Sequence, residues 1–341
     1  MQTTFVMPNY NHAAYLHKSI GAMLAQTKPA DEVIIIDDAS TDNSLEIIDE
    51  LTLNRPNVHV VRNSTNAGVV QALQAGLARA TGDFVAFLGA DDCVAPHFLS
   101  MTSALLEAHP GAGFACGRAE IRDGDNRLLA ERPIIRPTRT MRYVSASEAA
   151  QQLKKADNFF LGPVTLYHRA RLLELGGFDE ALGALSDGLI QRRLAVRWGY
   201  AFTPDILGTW RIHGANYSVT SASDAAVLER LIAAGKALIE REPTGLFPAG
   251  YPELFERRLR FNSARLMAGN LAQQPDPGGA IARIMGGKPI DQSVLSATTR
   301  LGKLSWVATM AWLFVRLRPL SMGWLLSEIG IRARARFGLL T

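Results

Sequence analysis

Apolar and polar positions follow two alternating periods along the first 120 residues. Short continuous apolar runs, "TFVM", "EVIIID", "NVHVV", "DFVAFL" and "GFACGRAEI", read as strands buried on both faces. Between them apolar residues recur at helical spacing over 13–26, 43–51, 69–80 and 96–108, with Pro96 fitting a first helical turn. Continuous strands joined by helices predict an α/β fold on a mostly parallel sheet covered on both faces. Ligands of such sheets bind outside the carboxyl ends of the strands. Four segments fall at those ends: "PNYN", the "DD" of "IIIDDAS", the stretch around 66–68 and the "DD" of "FLGADDC". Residues 121–145 are polar, contain Arg and Pro, and read as a connection. Residues 146–219 return to mixed structure: a helix near 147–154, a strand at "VTLYH", the segment "LLELGGFDE", a helix after Asp187, then "TWRIHGANYS". Beyond about 222 the pattern is helical, at 225–241, 252–272, 304–318 and 321–337.

Composition changes this picture little. A chain of 341 residues with 48% hydrophobic and 20% charged positions can bury a sizeable core. The amino-terminal residues already read as a strand, so no secretory leader is expected. Cys93 and Cys116 lie on different elements without metal-ligand spacing, which fits a reduced cytosolic compartment and neither a disulfide framework nor a zinc site. Charge is more informative. From residue 251 onward there are 13 Lys/Arg against 5 Asp/Glu, so the basic surplus of the chain lies in its tail. No nucleic-acid partner is expected from it.

The paired carboxylates pose the chemical question. One Asp after a strand forms a turn or caps a helix, and Asp42, before "NSLEII", reads as such a cap. Two adjacent ones repel unless a cation or hydrogen-bond donors stabilise them. A divalent cation bridging phosphate oxygens would do so at Asp91 and Asp92. "GAGFACG" at 111–117 precedes a strand rather than following one, so it is a turn and not a dinucleotide fingerprint, and no P-loop motif is present. His12, His17, His59, His97, His109 and His168 lack partners at ligand spacing and read as surface or loop residues.

The segments "VMPNYNHAAYLHKSI", "DEVIIIDDASTDNS", "NAGVVQALQAGLARATGDFVAFLGADD", "LLELGGFDE", "SDGLIQRRLAVRWGY" and "WRIHGANYS" occur in order, and together they resemble the inverting family-two glycosyltransferases of the GT-A fold. The resemblance spans about 3–218. It implies a GT-A catalytic domain over 1–220, with a nucleotide-sugar-binding half at 1–120 and an acceptor half at 121–220, followed by a basic, amphipathic helical region at 221–341. It assigns Pro8, Asn9, Tyr10, Asn11, Asp37, Asp38, Asn66 and Gly68 to the nucleotide, and Asp91 and Arg211 to the diphosphate. A divalent metal, Mg2+ or Mn2+, would be held by Asp91, Asp92 and His213. Asp91 is favoured over Asp92 as main ligand, with the choice open. Asp187 would be the base that deprotonates the acceptor hydroxyl. The implied donor is a nucleotide-sugar, with UDP favoured, and the acceptor a saccharide or lipid-linked saccharide of cell-surface polysaccharide synthesis.

The chain departs from the family pattern at Gly89, where a third carboxylate is common, at Ser186, where an acid often precedes the base, and at Gln74, where Asn is common. Gly89 alone leans toward a non-catalytic sugar-nucleotide-binding or scaffold protein; retention of Asp38, Asp91, Asp92 and Asp187 leans against it. In the tail, Trp306, Met310, Leu313 and Leu317 form an apolar stripe, with Ser305, Thr309 and Arg316 on another face, and "RARAR" follows. At twelve uncharged residues the run 304–315 is too short to span a bilayer. The pattern predicts an interfacial helix on anionic lipid, at the inner face of the cytoplasmic membrane. The alternative is packing against the catalytic core or a second copy of the chain.

Overall fold

The computed structural model describes residues 1–133, 136–157, 159–213, 224–269 and 276–319. The chain divides into two compact units, Met1–His213 and Gly214–Thr341. The sequence put this division at 220, inside a stretch that lies outside the described residues.

In the first unit ten strands form one sheet. Its first half alternates strand and helix: β1 (Thr3–Asn9), α1 (Ala13–Leu24), β2 (Glu32–Asp37), α2 (Ser44–Thr52), β3 (Val58–Arg62), α3 (Val69–Arg79) and β4 (Phe84–Phe87). Then come β5 (Cys93–Val94), α4 (Phe98–Ala108), β6 (Phe114–Arg122), β7 (Leu128–Arg132), β8 (Arg142–Val144) and α5 (Ala146–Lys155). The unit closes with β9 (Thr165–His168), α6 (Arg169–Glu174), α7 (Ser186–Trp198) and β10 (Tyr200–Arg211). The spatial order is β3-β2-β1-β4-β9-β6-β10-β5, with β7 beside β6 and β8 beside β10.

Strands β3, β2, β1 and β4 are mutually parallel, whereas β9 runs antiparallel to both β4 and β6, and β10 parallel to β6. The carboxyl ends of β1, β2, β4, β6 and β10 therefore share one rim with the start of β9. Side chains alternate between two faces along each strand. Phe5, Met7, Val33 and Ile35 join a core with residues of α1, α2 and α4; Val6, Ile34, Ile36 and Phe87 join another with residues of α3 and α7. Burial on both faces is why these strands carry apolar residues without interruption.

Two local expectations change. Residues 121–145 are not merely a connection: β7 forms a hairpin with β6, and β8 pairs antiparallel with β10. The hairpin turn is built by Asp123, whose Oδ1 accepts from Arg127 N at 2.8 Å, and by Asn126 at a φ of 66°. Leu128 and Leu129 are exposed on this outer strand, which is why its pattern does not look like a buried one. Likewise α4 starts at Phe98, beyond Pro96. Its orphan first-turn donor at Leu99 N is met by Gln26 Oε1 at 3.0 Å, a cap delivered from the end of α1.

The second unit is helical: α8 (Ala225–Arg241), α9 (Tyr251–Gly269), α10 (Pro277–Ile284), α11 (Pro289–Thr298) and α12 (Ser305–Leu317). Leu228, Ile232, Phe261, Ile281, Leu295 and Leu313 are among its core. Two buried polar centres lock it. Arg260 reaches both oxygens of Glu229, Glu256 and the carbonyl of Ile284. Asp291, fully buried, takes Nε1 of Trp312 at 3.0 Å and two nitrogens of Arg316 at 2.8 and 3.0 Å. Leu313 and Leu317 of the predicted stripe point into this core with Met310 packed against it, and Thr309, expected on the polar face, is buried too. Trp306 remains exposed, as do Leu301, Leu304 and Val307. The 321–337 segment, with "RARAR", lies outside the described residues. Among the described residues no helix is long and apolar enough to cross a membrane.

Candidate active site

The rim loops are tied together by their own polar side chains. After β1, Asn11 adopts a φ of 56°, and its Oδ1 accepts from Thr41 N at 2.7 Å and Asp42 N at 3.3 Å. Its own N–H donates to Ser40 Oγ at 3.0 Å. Asn9 is buried and donates from Nδ2 to Asp37 Oδ1 and Ser40 Oγ, which leaves its Oδ1 buried with no partner among the described residues. Pro8 is half-buried between buried Met7 and Asn9, and Tyr10, just past the strand, is 42% exposed. Asp42 is not the cap residue of α2, which is Asn43, but it meets donors at two helix starts: Oδ2 accepts from Ala13 N, the first residue of α1, and Oδ1 from Ser44 N.

The first carboxylate pair is turned toward backbone donors. Asp37 is fully buried and accepts from Ser40 N at 3.0 Å as well as from Asn9. Asp38, only 3% exposed, accepts from Asn63 Nδ2 at 2.7 Å, Ala67 N at 3.0 Å and Gly68 N at 2.7 Å. Asn66 Oδ1 also accepts from Gly68 N, and Gly68 has the positive φ of 92° that only glycine adopts without strain. Asp38 thus fastens the 63–68 loop at the start of α3.

The second pair splits in role. Asp92 is buried, and its Oδ1 accepts from Arg211 N at 2.8 Å, joining the end of β10 to the loop after β4. Burial, together with the neighbouring Asp91 charge, pushes the Asp92 carboxyl well above its usual range. Asp91 faces the other way: its Oδ2 lies 3.0 Å from His213 Nε2. Gly89 belongs to this fold-back. A Cβ there would stand 2.9 Å from Asp91 Oδ1 and 3.1 Å from Asp92 Oδ2, so a third acidic side chain starting there would have to push these two carboxylates aside.

Arg211 is buried, donates from Nε to the Asp91 carbonyl at 3.1 Å, and sits 5.3 Å over the Tyr15 ring. Tyr15 stacks on His213 at 5.6 Å with an interplanar angle of 11°. His12, which its sequence spacing marks as a bystander, has a ring nitrogen within 4.8 Å of ligand atoms of both Asp91 and His213. His12 is the residue that opens α1 and Tyr15 lies in its first turn, so their three-residue spacing is the one signal the sequence holds. An oxygen and imidazole nitrogens at this separation fit a divalent transition ion. Asp91, His213 and His12 are therefore brought together as side chains that could hold a cation, and Asp92 is not in that group.

Asp187 lies in the first turn of α7. Its Oδ1 accepts from Gly188 N at 2.6 Å, and its Oδ2 would be 2.7 Å from a Cβ at Gly162, the residue leading into β9. Because β9 starts at the carboxyl end of β4, Asp187 stands on the same rim as Asp91. Burial raises its pKa, only partly offset by Gly188 N and the Arg192 charge. The remaining departures are structural: Ser186 is buried with its Oγ accepting from Asp179 N, and Gln74 bridges Gly176 O and Phe178 N to hold the "GGF" turn.

Comparison with known proteins places this geometry. The family model described as glycosyl transferase family 2 matches residues 4–175. An uncharacterized glycosyltransferase of Nostoc sp. (strain PCC 7120) is 30% identical over 239 residues, covering 69% of this chain and 72% of that protein. Poly-beta-1,6-N-acetyl-D-glucosamine synthase of Staphylococcus epidermidis is 25% identical over 222 residues, covering 63% of this chain and 47% of that protein. Among solved structures, S. aureus TarS 1–349 superposes with a TM-score of 0.61 at 17% identity, covering 93% of this chain and 91% of that one. TarS has also been solved with UDP-GlcNAc. The mannosyltransferase PcManGT from Pyrobaculum calidifontis, in complex with GDP-Man and Mn2+, gives 0.57 at 21% identity, covering 93% and 86%. At such identities the structural likeness speaks for the fold, a GT-A glycosyltransferase fold followed by helices.

Proposed function

The chain belongs to glycosyl transferase family 2, and on that premise we propose that it is a metal-dependent, inverting transferase. In this reading it moves a sugar from a UDP-sugar to a hydroxyl of a glycan or lipid-linked saccharide in cell-surface polysaccharide synthesis. The observation that carries the reading is a half-buried carboxylate, Asp187, on the same rim as the Asp91–His213 pair.

Inversion requires one displacement at the anomeric carbon, with the acceptor oxygen opposite the leaving diphosphate and a base taking its proton as the bond forms. Asp187 suits the role of that base. Burial makes it a stronger base than a solvated carboxylate, and its Oδ1 bond to Gly188 N fixes its orientation. Asp91 and His213 would hold a divalent cation, which when bound supplies positive charge against the leaving diphosphate. The buried Arg211 guanidinium adds to that charge. Tyr10, exposed beside the Asn9–Asp37–Ser40 cluster, offers a face on which a base can stack, and Asp38 keeps the 63–68 loop in place around it. The UDP preference is supported by the TarS complex with UDP-GlcNAc, and the manganese in PcManGT supports the cation. The non-catalytic alternative is weakened, since a side chain at Gly89 would crowd the two carboxylates that the transferase reading uses.

A membrane surface is the proposed place of action, at the cytoplasmic face. Exposed Leu301, Leu304, Trp306 and Val307 beside a basic sequence give the helical unit an apolar and a cationic contact for anionic lipid. Flotation with anionic but not neutral vesicles, lost at high salt, is the expected result.

The functional test is a melting and turnover screen of UDP-, GDP- and dTDP-sugars with Mn2+ or Mg2+. One nucleotide series should raise the melting temperature by several degrees, with slow release of the free sugar. No shift and no hydrolysis with any donor would overturn the reading.

A further inference from the structure

We propose that His12 is a third protein ligand of the cation site, and that this set of two imidazoles and one carboxylate lets the protein take up Mn2+ before any nucleotide binds and favours it over Mg2+. The proposal rests on the cation reading of Asp91 and His213 given above.

Three observations converge on His12. First, it occupies the residue before α1, where Ser, Thr, Asp or Asn usually caps the first turn. His12 makes no such cap bond, and the N–H of Ala13 is met instead by Asp42 Oδ2 from the neighbouring loop at 3.1 Å. The side chain is thereby released from the capping duty its position normally imposes. Second, His12 is half-buried, and its Nδ1 is shielded from solvent without a hydrogen-bond partner among the described residues. Its ring contacts, 6.2 Å to Tyr15 and 6.3 Å to His213, are tilted ring packings and supply Nδ1 with no hydrogen bond. A buried imidazole usually directs at least one nitrogen to a partner. Third, a nitrogen of His12, an oxygen of Asp91 and a nitrogen of His213 lie within 4.8 Å of one another, a spacing that a single ion bonded to all three can bridge.

The neighbouring residues explain why the third ligand comes from the start of α1. The position at which another acid would stand is Gly89, where a Cβ would crowd Asp91 Oδ1 and Asp92 Oδ2. Asp92 itself is committed to Arg211 N. The loop after β4 therefore contributes Asp91, the end of β10 contributes His213, and the residue opening α1 contributes His12. Tyr15, one turn further along α1, stacks on His213 and holds both rings in one cluster. Chemically, a first-row transition ion such as Mn2+ accepts imidazole nitrogen more readily than Mg2+, which demands oxygen ligands and retains its waters. Three protein ligands also remove the need for diphosphate oxygens to complete a first grip on the ion.

The test is Mn2+ binding to the full chain without nucleotide, read by the loss of the free-ion EPR signal. Pulsed EPR is then used to count the imidazole nitrogens coupled to bound Mn2+. Wild type should bind Mn2+, show two coupled imidazoles and retain the ion against a hundredfold excess of Mg2+. His12→Gln should weaken binding about tenfold or more and show one imidazole. A wild-type spectrum with one imidazole, or unchanged affinity in His12→Gln, overturns the role of His12 while loss of binding in Asp91→Asn keeps the cation site itself. Equal displacement by Mg2+ overturns the selectivity. Absence of Mn2+ binding to wild type with or without UDP overturns both this proposal and the cation reading on which it stands. The wild-type count needs no variant, so it stands even if His12→Gln fails to fold.

Discussion

Replacing Asp38 separates two jobs that a carboxylate at this position could perform. The side chain is almost fully buried and accepts from Asn63 Nδ2, Ala67 N and Gly68 N at 2.7–3.0 Å. A hydrogen bond to a charged acceptor contributes about 1.5–3 kcal/mol net, and a stranded buried donor costs about 1–3 kcal/mol. Three donors lose their acceptor in Asp38→Ala, but the loop is partly open to water, which recovers some of them. A destabilisation of about 3–4 kcal/mol follows, near the upper range for single substitutions. For a unit of this size each 1 kcal/mol moves the melting temperature by about 2–4 °C, so a fall of about 10 °C is expected. Asp38→Asn keeps one acceptor oxygen and should lose about half as much. The assay is thermal unfolding followed by circular dichroism, paired with calorimetric titration of UDP. If Asp38→Ala melts within about 2 °C of wild type while UDP affinity drops a hundredfold, the carboxylate serves the nucleotide directly and the loop-lock argument is wrong.

Asp187→Asn should reduce turnover by about 10²–10⁴-fold, the usual worth of a general base, with UDP binding retained; normal turnover would remove it from the mechanism. Because burial raises the Asp187 pKa, kcat/KM should fall on acidification at a pH above the ordinary carboxylate range, and an acid limb at an ordinary value would count against the base. The native state holds that proton more tightly than the unfolded chain, so ionised Asp187 costs stability once pH exceeds its folded pKa. Asp187→Asn should accordingly melt higher than wild type at neutral pH and lose the advantage toward the unfolded-state pKa near 3.8. Gly89→Asp, which adds an acid to the motif, should weaken Mn2+ binding, because its Cβ enters within 2.9 Å of Asp91 Oδ1; tighter binding in an EPR titration would refute the crowding. Asp291→Ala should cost about 2–3 kcal/mol in urea unfolding, since it strands Trp312 Nε1 and a partly exposed Arg316; a change under about 0.5 kcal/mol would mean water replaces the carboxylate.

The strand–helix alternation of residues 3–120 was legible because strands covered on both sides must be apolar throughout. Strands β7 and β8 were not, since one carries exposed leucines and the other only three residues; the "DGDN" turn was the cue within reach. At the site, sequence singled out Asp38 and leaned to Asp91, but it could not say what each of the four carboxylates bonds. Their difference lies in backbone donors, Ser40 N for Asp37, Gly68 N for Asp38 and Arg211 N for Asp92, and spacing along a chain carries no record of those. His12 stayed hidden because its partners sit at distant positions. The apolar stripe of α12 was visible, and what covers Leu313 and Leu317 was not, because any apolar surface satisfies the same period.

The two-residue strand β5 has a bearing on how such chains diversify. Thr209 pairs with Cys93, and Arg211 N reaches Asp92, so Asp91 and His213 are clasped by backbone register rather than by the polypeptide between them. Insertions or deletions in the surface loops between Val94 and Thr209 can alter the acceptor side while the clasp keeps its spacing. A single residue added between Asp91 and Cys93, or between Thr209 and His213, would slip the pairing and part the two side chains. Length variation among homologous chains should therefore be common in the first interval and absent from the other two.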